Sequence, residues 1–375
     1  MRSGQYINLS LVVFTLLGLV STANVINPGN PLIWYHGRWD WGRETWWSST
    51  GFTLNVENLS SLSLQLGPNT TQPFVSVGIS VNYGEFTQFN LTSGTAGNVI
   101  PLSVSTSQAS GRKTRSVIRL MVQGWENNNL QLEKIILNSG SSLLSYQPSP
   151  LNFLFIGDSF GAGQYISNGI NGAWPSITAE TFKAEQQDNA IPGICLADYH
   201  CWGNTHGLSY IFFKTEDSLY YYNPKHNYTT NWDFRRDYRP THIFINGGIN
   251  DNYYNITGAS LTTAYSGFID KLRALYPTQP IFLIGSSQPN GPINETGTYS
   301  YYANGINETV TARHAKGDKK VYFIDTAGWI RFSDMISLEN AHFNPSGHTR
   351  FAEQLGGWLK SWGLQPQNAW PTRFT

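Results

Sequence analysis

Four short stretches constrain this chain more than anything else in it: residues 153–156, 242–245, 281–284 and 321–324. Each is a near-continuous apolar run rather than an alternating one, as expected of a strand buried on both faces. Segments of helical length lie between or after them, at about 173–185, 259–276, 299–316 and 346–361. Strand followed by helix, repeated, predicts right-handed crossovers and a mainly parallel, doubly wound sheet. In such a sheet ligands bind beyond the carboxyl ends of the strands. The stretch 195–240 is too long for a simple connection and reads as a surface insertion, including Tyr220-Tyr221-Tyr222 and the charged segment 233–239.

The first part of the chain has another character. From residue 24 to 147 short alternating runs recur, at 52–56, 62–66, 75–79, 117–122 and 130–137, separated by turn residues such as Gly67-Pro68-Asn69. Period-two alternation at this spacing predicts an all-β sandwich of jelly-roll type. Pro148-Ser149-Pro150 reads as the linker to an α/β domain spanning 148–375. A length of 375 residues fits this division.

Residues 1–23 read as a secretory signal: Arg2, an apolar run from 9 to 20, then Ser21 and Ala23 as a small-x-small cleavage site. Asn58, Asn69, Asn90, Asn227, Asn255, Asn294 and Asn307 each open an Asn-x-Ser/Thr sequon. In an oxidising compartment Cys195 and Cys201 most simply form one small-loop disulfide. Two cysteines do not complete a tetrahedral metal shell, so no metal is expected. Formal net charge is zero and charged residues are only 13%. A nucleic-acid or anionic-membrane partner would need a concentrated basic face that is absent here. The chain is expected to be extracellular, free of the membrane once the signal is removed, and monomeric.

Three motifs carry chemistry. Gly157-Asp158-Ser159 follows the first buried run at once, where a strand-to-helix turn exposes a hydroxyl beside helix N-terminal amides. Gly247-Gly248-Ile249-Asn250-Asp251 follows the run at 242–245, and the Asn250 amide there is placed to donate to an oxyanion. His342 lies in a loop between the last strand and the last helix, on the same side as Ser159, and suits a general base. Taken singly, each motif is equally an N-cap, a turn and a surface histidine.

In combination and order these motifs resemble the SGNH (GDSL-like) hydrolase family over residues 151–362. Gly157, Asp158 and Ser159 match its first block, and Gly248, Ile249, Asn250 and Asp251 its third. The resemblance implies a flavodoxin-like domain with Ser159 as nucleophile and His342 as base. It implies an oxyanion hole from Ser159, Gly193 and Asn250. The family's last block is Asp-x-x-His; here it reads Glu339-x-x-His342, with Gly347 and His348 following. Glu339 is therefore the candidate orienting acid. Asp334, or a Ser-His dyad oriented by a backbone carbonyl, are the alternatives.

The opening segment 33–40 on a β-sandwich, joined to such a hydrolase, looks like carbohydrate esterase family 2. That resemblance implies acetyl esters of xylan or glucomannan as substrates, with no cofactor. Trp202 and Trp329, near strand ends, and Asp251 are the candidate substrate contacts. A secreted lipase or lysophospholipase on the same scaffold, or a non-catalytic carbohydrate-binding protein, are the competing readings.

Overall fold

The structure, a computed structural model, describes residues 23–102, 113–125, 128–215, 230–289, 298–337 and 339–375. Residues 1–22, which hold most of the expected signal segment, the tyrosines at 220–222 and the sequons at Asn227 and Asn294 lie outside the described residues.

Two antiparallel sheets face each other over the first part of the chain. One runs through the strands Asn24–Ile26, Leu130–Leu137, Leu62–Leu66 and Gly94–Ile100. The other runs through Ser142–Leu144, Gly51–Glu57, Arg115–Val122, Val75–Val81 and Thr87–Leu91. Alternating residues supply the shared core: Leu62, Leu64 and Leu66 from one sheet meet Leu54, Val56 and Leu120 from the other. This is the sandwich that period-two patterning predicts.

The second part is a five-stranded parallel sheet of strands Asn152–Gly157, Glu185–Ala190, His242–Asn246, Ile281–Ile284 and Val321–Ile324. Numbered along the chain, the spatial order is 2-1-3-4-5, the flavodoxin-like order. The order of strand addition switches sides between the first and third strands, so the crevice opens where Ser159 and Asn250 emerge. Helices Trp174–Phe182 and Pro345–Trp362 cover one face, and Gly258–Leu275 and Ala303–Ala315 the other.

One expectation is corrected here. The helix expected to reach residue 185 stops at Phe182, because Lys183 adopts a left-handed conformation and closes it. The residues beyond form the edge strand Glu185–Ala190, entirely buried although five of its six side chains are polar. The sandwich covers this edge: Glu185 accepts from the Tyr146 hydroxyl at 2.8 Å and from the Ser149 amide at 2.9 Å. Within the linker Ser149 is fully buried, whereas Pro150 is exposed. The seam is closed further by Arg119, which pairs with Glu180 across it, and by Arg38. The Arg38 guanidinium lies over the rings of Trp47 and Phe212 at 4.7 and 4.9 Å and donates to the Lys214 carbonyl at 2.6 Å. The C-terminal tail returns to the sandwich, where Trp370 stacks on Tyr83 at 4.6 Å.

Candidate active site

Ser159 opens a four-residue helix, Ser159–Ala162, immediately after the first strand. Asp158 caps it, accepting from the Phe160 amide at 3.1 Å. Burial, with the Asp251 charge nearby, pushes the Asp158 carboxyl up to about 7. First-turn amides have no partner within a helix, so the Ser159 N–H is available beside its own hydroxyl.

His342 arrives from the far end of the chain. Its loop is clamped by Asn344, the N-cap of the last helix, whose amide donates to the carbonyls of Ser333 and Met335 at 2.9 Å each. The clamp brings the His342 Nε2 to 2.9 Å from the Ser159 Oγ. Phe160 stacks under the imidazole at 5.0 Å and Tyr165 meets it edge-on at 4.9 Å. Burial pulls the His342 pKa down to about 4.

The partner of the other ring nitrogen is not Glu339. That side chain is exposed, whereas the Asn340 Oδ1 lies 2.7 Å from His342 Nδ1. Asp334 is also engaged elsewhere, with Arg350 at 2.7 Å and the Arg331 amide at 2.9 Å. The Asn340 Oδ1 accepts from the backbone N–H of His342 at 3.2 Å as well. A backbone N–H only donates, so the atom facing it is the amide oxygen, and Nδ1 must carry the proton. Nε2 is then left as the acceptor for the Ser159 hydroxyl. The resulting Ser-His-Asn order matches, in role, the Cys-His-Asn arrangement found on other folds. Glu339, three residues before the histidine, stays exposed. Asn at two residues before the histidine closes an Asx turn instead, the local signal that would have identified it.

Because Asn340 is neutral, no charge beside Nδ1 offsets the burial that lowers the proton affinity of His342. The base works only when neutral. The acidic limb of kcat/KM is therefore expected near pH 4 rather than near the ordinary histidine value. Asn340→Asp should place a carboxylate beside the ring, raise the His342 pKa and move that limb upward. A pH–rate profile of both proteins checks this; a wild-type limb at or above the ordinary value would contradict it.

The donor set comes from the second and third strands. Gly193 follows the edge strand with φ +74°, and a Cβ there would meet the Trp202 Cβ at 2.6 Å. Only glycine lets the backbone adopt that conformation this close to the ring. Asn250 lies in the short helix Ile249–Tyr253. One of its amide hydrogens is used on the Ile194 carbonyl at 2.9 Å, which fixes the group; its second N–H remains for a ligand. Ser159, Gly193, Asn250 and His342 line one cavity of about 290 Å³.

Trp202 lines the same cavity, is half-exposed, and leans on Tyr253 at 4.6 Å. It directly follows Cys201, which the disulfide to Cys195 ties down. Two other candidate substrate contacts are placed differently. Asp251 is fully buried and its carboxylate accepts from the amides of Leu196 and Ala197 at 2.7 and 3.0 Å. It ties the disulfide loop to the third strand end and does not face the cavity. Trp329 packs edge-on against Phe351 at 5.3 Å beneath the last helix, away from the cavity. The sequence reading missed Trp125 and Tyr165, which wall the cavity, and Gln164 and Pro192, which complete it. Trp125 comes from the sandwich, and nothing local in the sequence joins it to Ser159.

Residues 155–350, just over half of the chain, match the GDSL-like Lipase/Acylhydrolase family. No curated protein matches the sequence. Among solved structures the chain is similar to a family two carbohydrate esterase from Cellvibrio japonicus, with TM-score 0.69 and 15% identity over 91% of this chain and 98% of that one. A family two carbohydrate esterase from Clostridium thermocellum in complex with cellohexaose gives TM-score 0.67 and 20% identity, over 88% and 98%. An acetyl xylan esterase from the rumen bacterium Butyrivibrio proteoclasticus gives 0.66 and 17%, over 90% and 99%. At these identities the likeness speaks for the fold, sandwich and hydrolase together. The chain belongs to the GDSL-like lipase/acylhydrolase family and is a carboxylic ester hydrolase of the SGNH type.

Proposed function

We propose that this protein is a secreted esterase that removes O-acetyl groups from plant cell-wall polysaccharide, xylan or glucomannan, through an acyl-serine. The observation that carries this reading is the cavity holding Ser159 and His342. At about 290 Å³ it is at the small end of ligand sites. Among the described residues it is lined by aromatic and neutral polar side chains, with no long apolar trough for a fatty acyl chain. Aromatic walls with neutral hydrogen-bonding groups suit a sugar ring bearing a short acyl group.

In this mechanism the Ser159 Oγ attacks the acetyl carbonyl while its proton passes to His342 Nε2. The oxyanion that forms meets the N–H groups of Ser159 and Gly193 and the Asn250 amide. Collapse expels the sugar alkoxide, which takes the proton back from His342 and leaves an acetyl-serine. Water, deprotonated by His342, then releases acetate and restores the hydroxyl. Asn340 holds the imidazole in the required tautomer throughout.

The names of the similar structures support the substrate class: one is an acetyl xylan esterase, and another holds cellohexaose. Export rests on the apolar segment at 9–20, the disulfide and the sequons. Asn90, Asn255 and Asn307 are exposed and are the best-placed glycan acceptors, while Asn58 and Asn69 are half-buried. Acetate release from acetylated xylan and glucomannan, set beside hydrolysis of p-nitrophenyl palmitate, tests the proposal. Acetyl esters should be preferred by more than an order of magnitude in kcat/KM. Preference for the palmitoyl ester would replace this reading with a lipase.

A further inference from the structure

We propose that the β-sandwich supplies a second sugar subsite, centred on Phe74, that binds a neutral pyranose unit of the same polysaccharide chain next to the one being deacetylated. The inference rests on the esterase reading and extends it to an oligomeric substrate that crosses from one half of the molecule to the other.

A cavity of about 270 Å³ adjoins the active-site cavity, and the two share Trp125 and Tyr165 as walls. A chain leaving the active site between these rings enters it directly. Its far side is built by the sandwich: Phe74, 41% exposed, with Ser76 and Gln123 beside it. This puts an open aromatic face beside the catalytic cleft. The polar groups around it are pre-arranged. The Ser76 Oγ donates to the Gln123 Oε1 at 3.1 Å and accepts from Gln88 at 3.0 Å. A flat ring bordered by hydroxyl and amide groups fits the apolar face and equatorial hydroxyls of a pyranose. Among the described residues neither cavity is lined by a charged side chain, which disfavours a phospholipid headgroup or an acidic sugar.

The wall between the cavities is held in a costly conformation. Tyr165 has φ +71°, a left-handed backbone uncommon for a bulky residue and stored where surrounding structure enforces it. The enforcement is visible across the seam. Gly169, at φ +45°, lies so close to the sandwich that a Cβ would meet the Gln123 carbonyl at 2.6 Å, and the Ile170 amide donates to that carbonyl at 3.2 Å. The loop bearing Tyr165 is therefore docked on the strand end bearing Gln123 and Trp125, and the groove exists before any ligand arrives.

The test uses the full chain with Ser159→Ala, titrated calorimetrically with xylohexaose and mannohexaose, with and without Phe74→Ala. Phe74→Ala is expected to weaken binding of the hexaose that binds by roughly fivefold, a typical aromatic contribution. It should leave the affinity for the corresponding disaccharide unchanged. On the Ser159 background, Phe74→Ala should keep wild-type turnover of p-nitrophenyl acetate, which also shows that it is folded. Equal hexaose affinity with and without Phe74 overturns the subsite, and so does failure of both hexaoses to bind. The esterase reading falls separately, on the absence of acetate release by the wild-type enzyme.

Discussion

Ser159→Ala is expected to lower kcat for ester hydrolysis by roughly 10⁵- to 10⁶-fold, the loss seen when a hydrolase nucleophile is removed while its oxyanion donors remain. The fold should survive the change. Ser159 is a small, buried residue at the start of a helix whose cap is the neighbouring Asp158, and alanine is a good helix former. The hydroxyl accepts no backbone donor that would be orphaned; its one described side-chain partner is His342. Thermal unfolding should therefore occur close to the wild-type midpoint while turnover of p-nitrophenyl acetate disappears. Turnover retained within tenfold would mean that another group attacks the carbonyl.

The second large effect separates two neighbours in one loop. Asn340→Ala removes the acceptor on His342 Nδ1. It leaves the imidazole free to take the wrong tautomer and leaves the imidazolium of the transition state without its partner. Hydrogen bonds to a charged group contribute about 1.5–3 kcal/mol, which corresponds to roughly a 10- to 150-fold loss in kcat. Glu339→Ala, one residue away, changes an exposed side chain and should stay within about twofold, the usual range for surface substitutions. Steady-state kinetics of the two variants decide the matter, since the opposite ranking would return the orienting role to Glu339. Asn340→Asp serves as a conservative control, because it keeps the acceptor while shifting the pH profile.

The parts of this molecule legible in its sequence are those whose physics is local. The strands at Asn152–Gly157, His242–Asn246 and Ile281–Ile284 announce themselves because both faces are buried. Ser159 and Asn250 were found because they follow such strands at once, and His342 because it precedes the last helix. The edge strand Glu185–Ala190 hid its nature. Some of its polar side chains find partners in the sandwich, as when Gln186 donates to the Met121 Sδ and Glu185 accepts from Tyr146. Trp125, Tyr165 and Phe74 were equally invisible as a group, because only the docking of the sandwich on the hydrolase brings them to one groove. Asp251 looked like a cleft residue from its place beside Asn250. A helical turn sends adjacent side chains in different directions, and this one turns inward to the amides of Leu196 and Ala197. Spacing alone misassigned Glu339, since a family template counts residues while a hydrogen bond depends on reach.

Catalysis depends on one oxygen and one nitrogen, 2.9 Å apart, contributed from opposite ends of the hydrolase sequence. The direct measurement is covalent capture: the wild-type protein is treated with diethyl p-nitrophenyl phosphate, digested, and its peptides mapped by mass spectrometry. A single diethylphosphoryl group on Ser159, formed in step with loss of activity and absent from His342→Ala, is the result predicted. Inactivation with the label on a different residue, or full activity with Ser159 labelled, would contradict it.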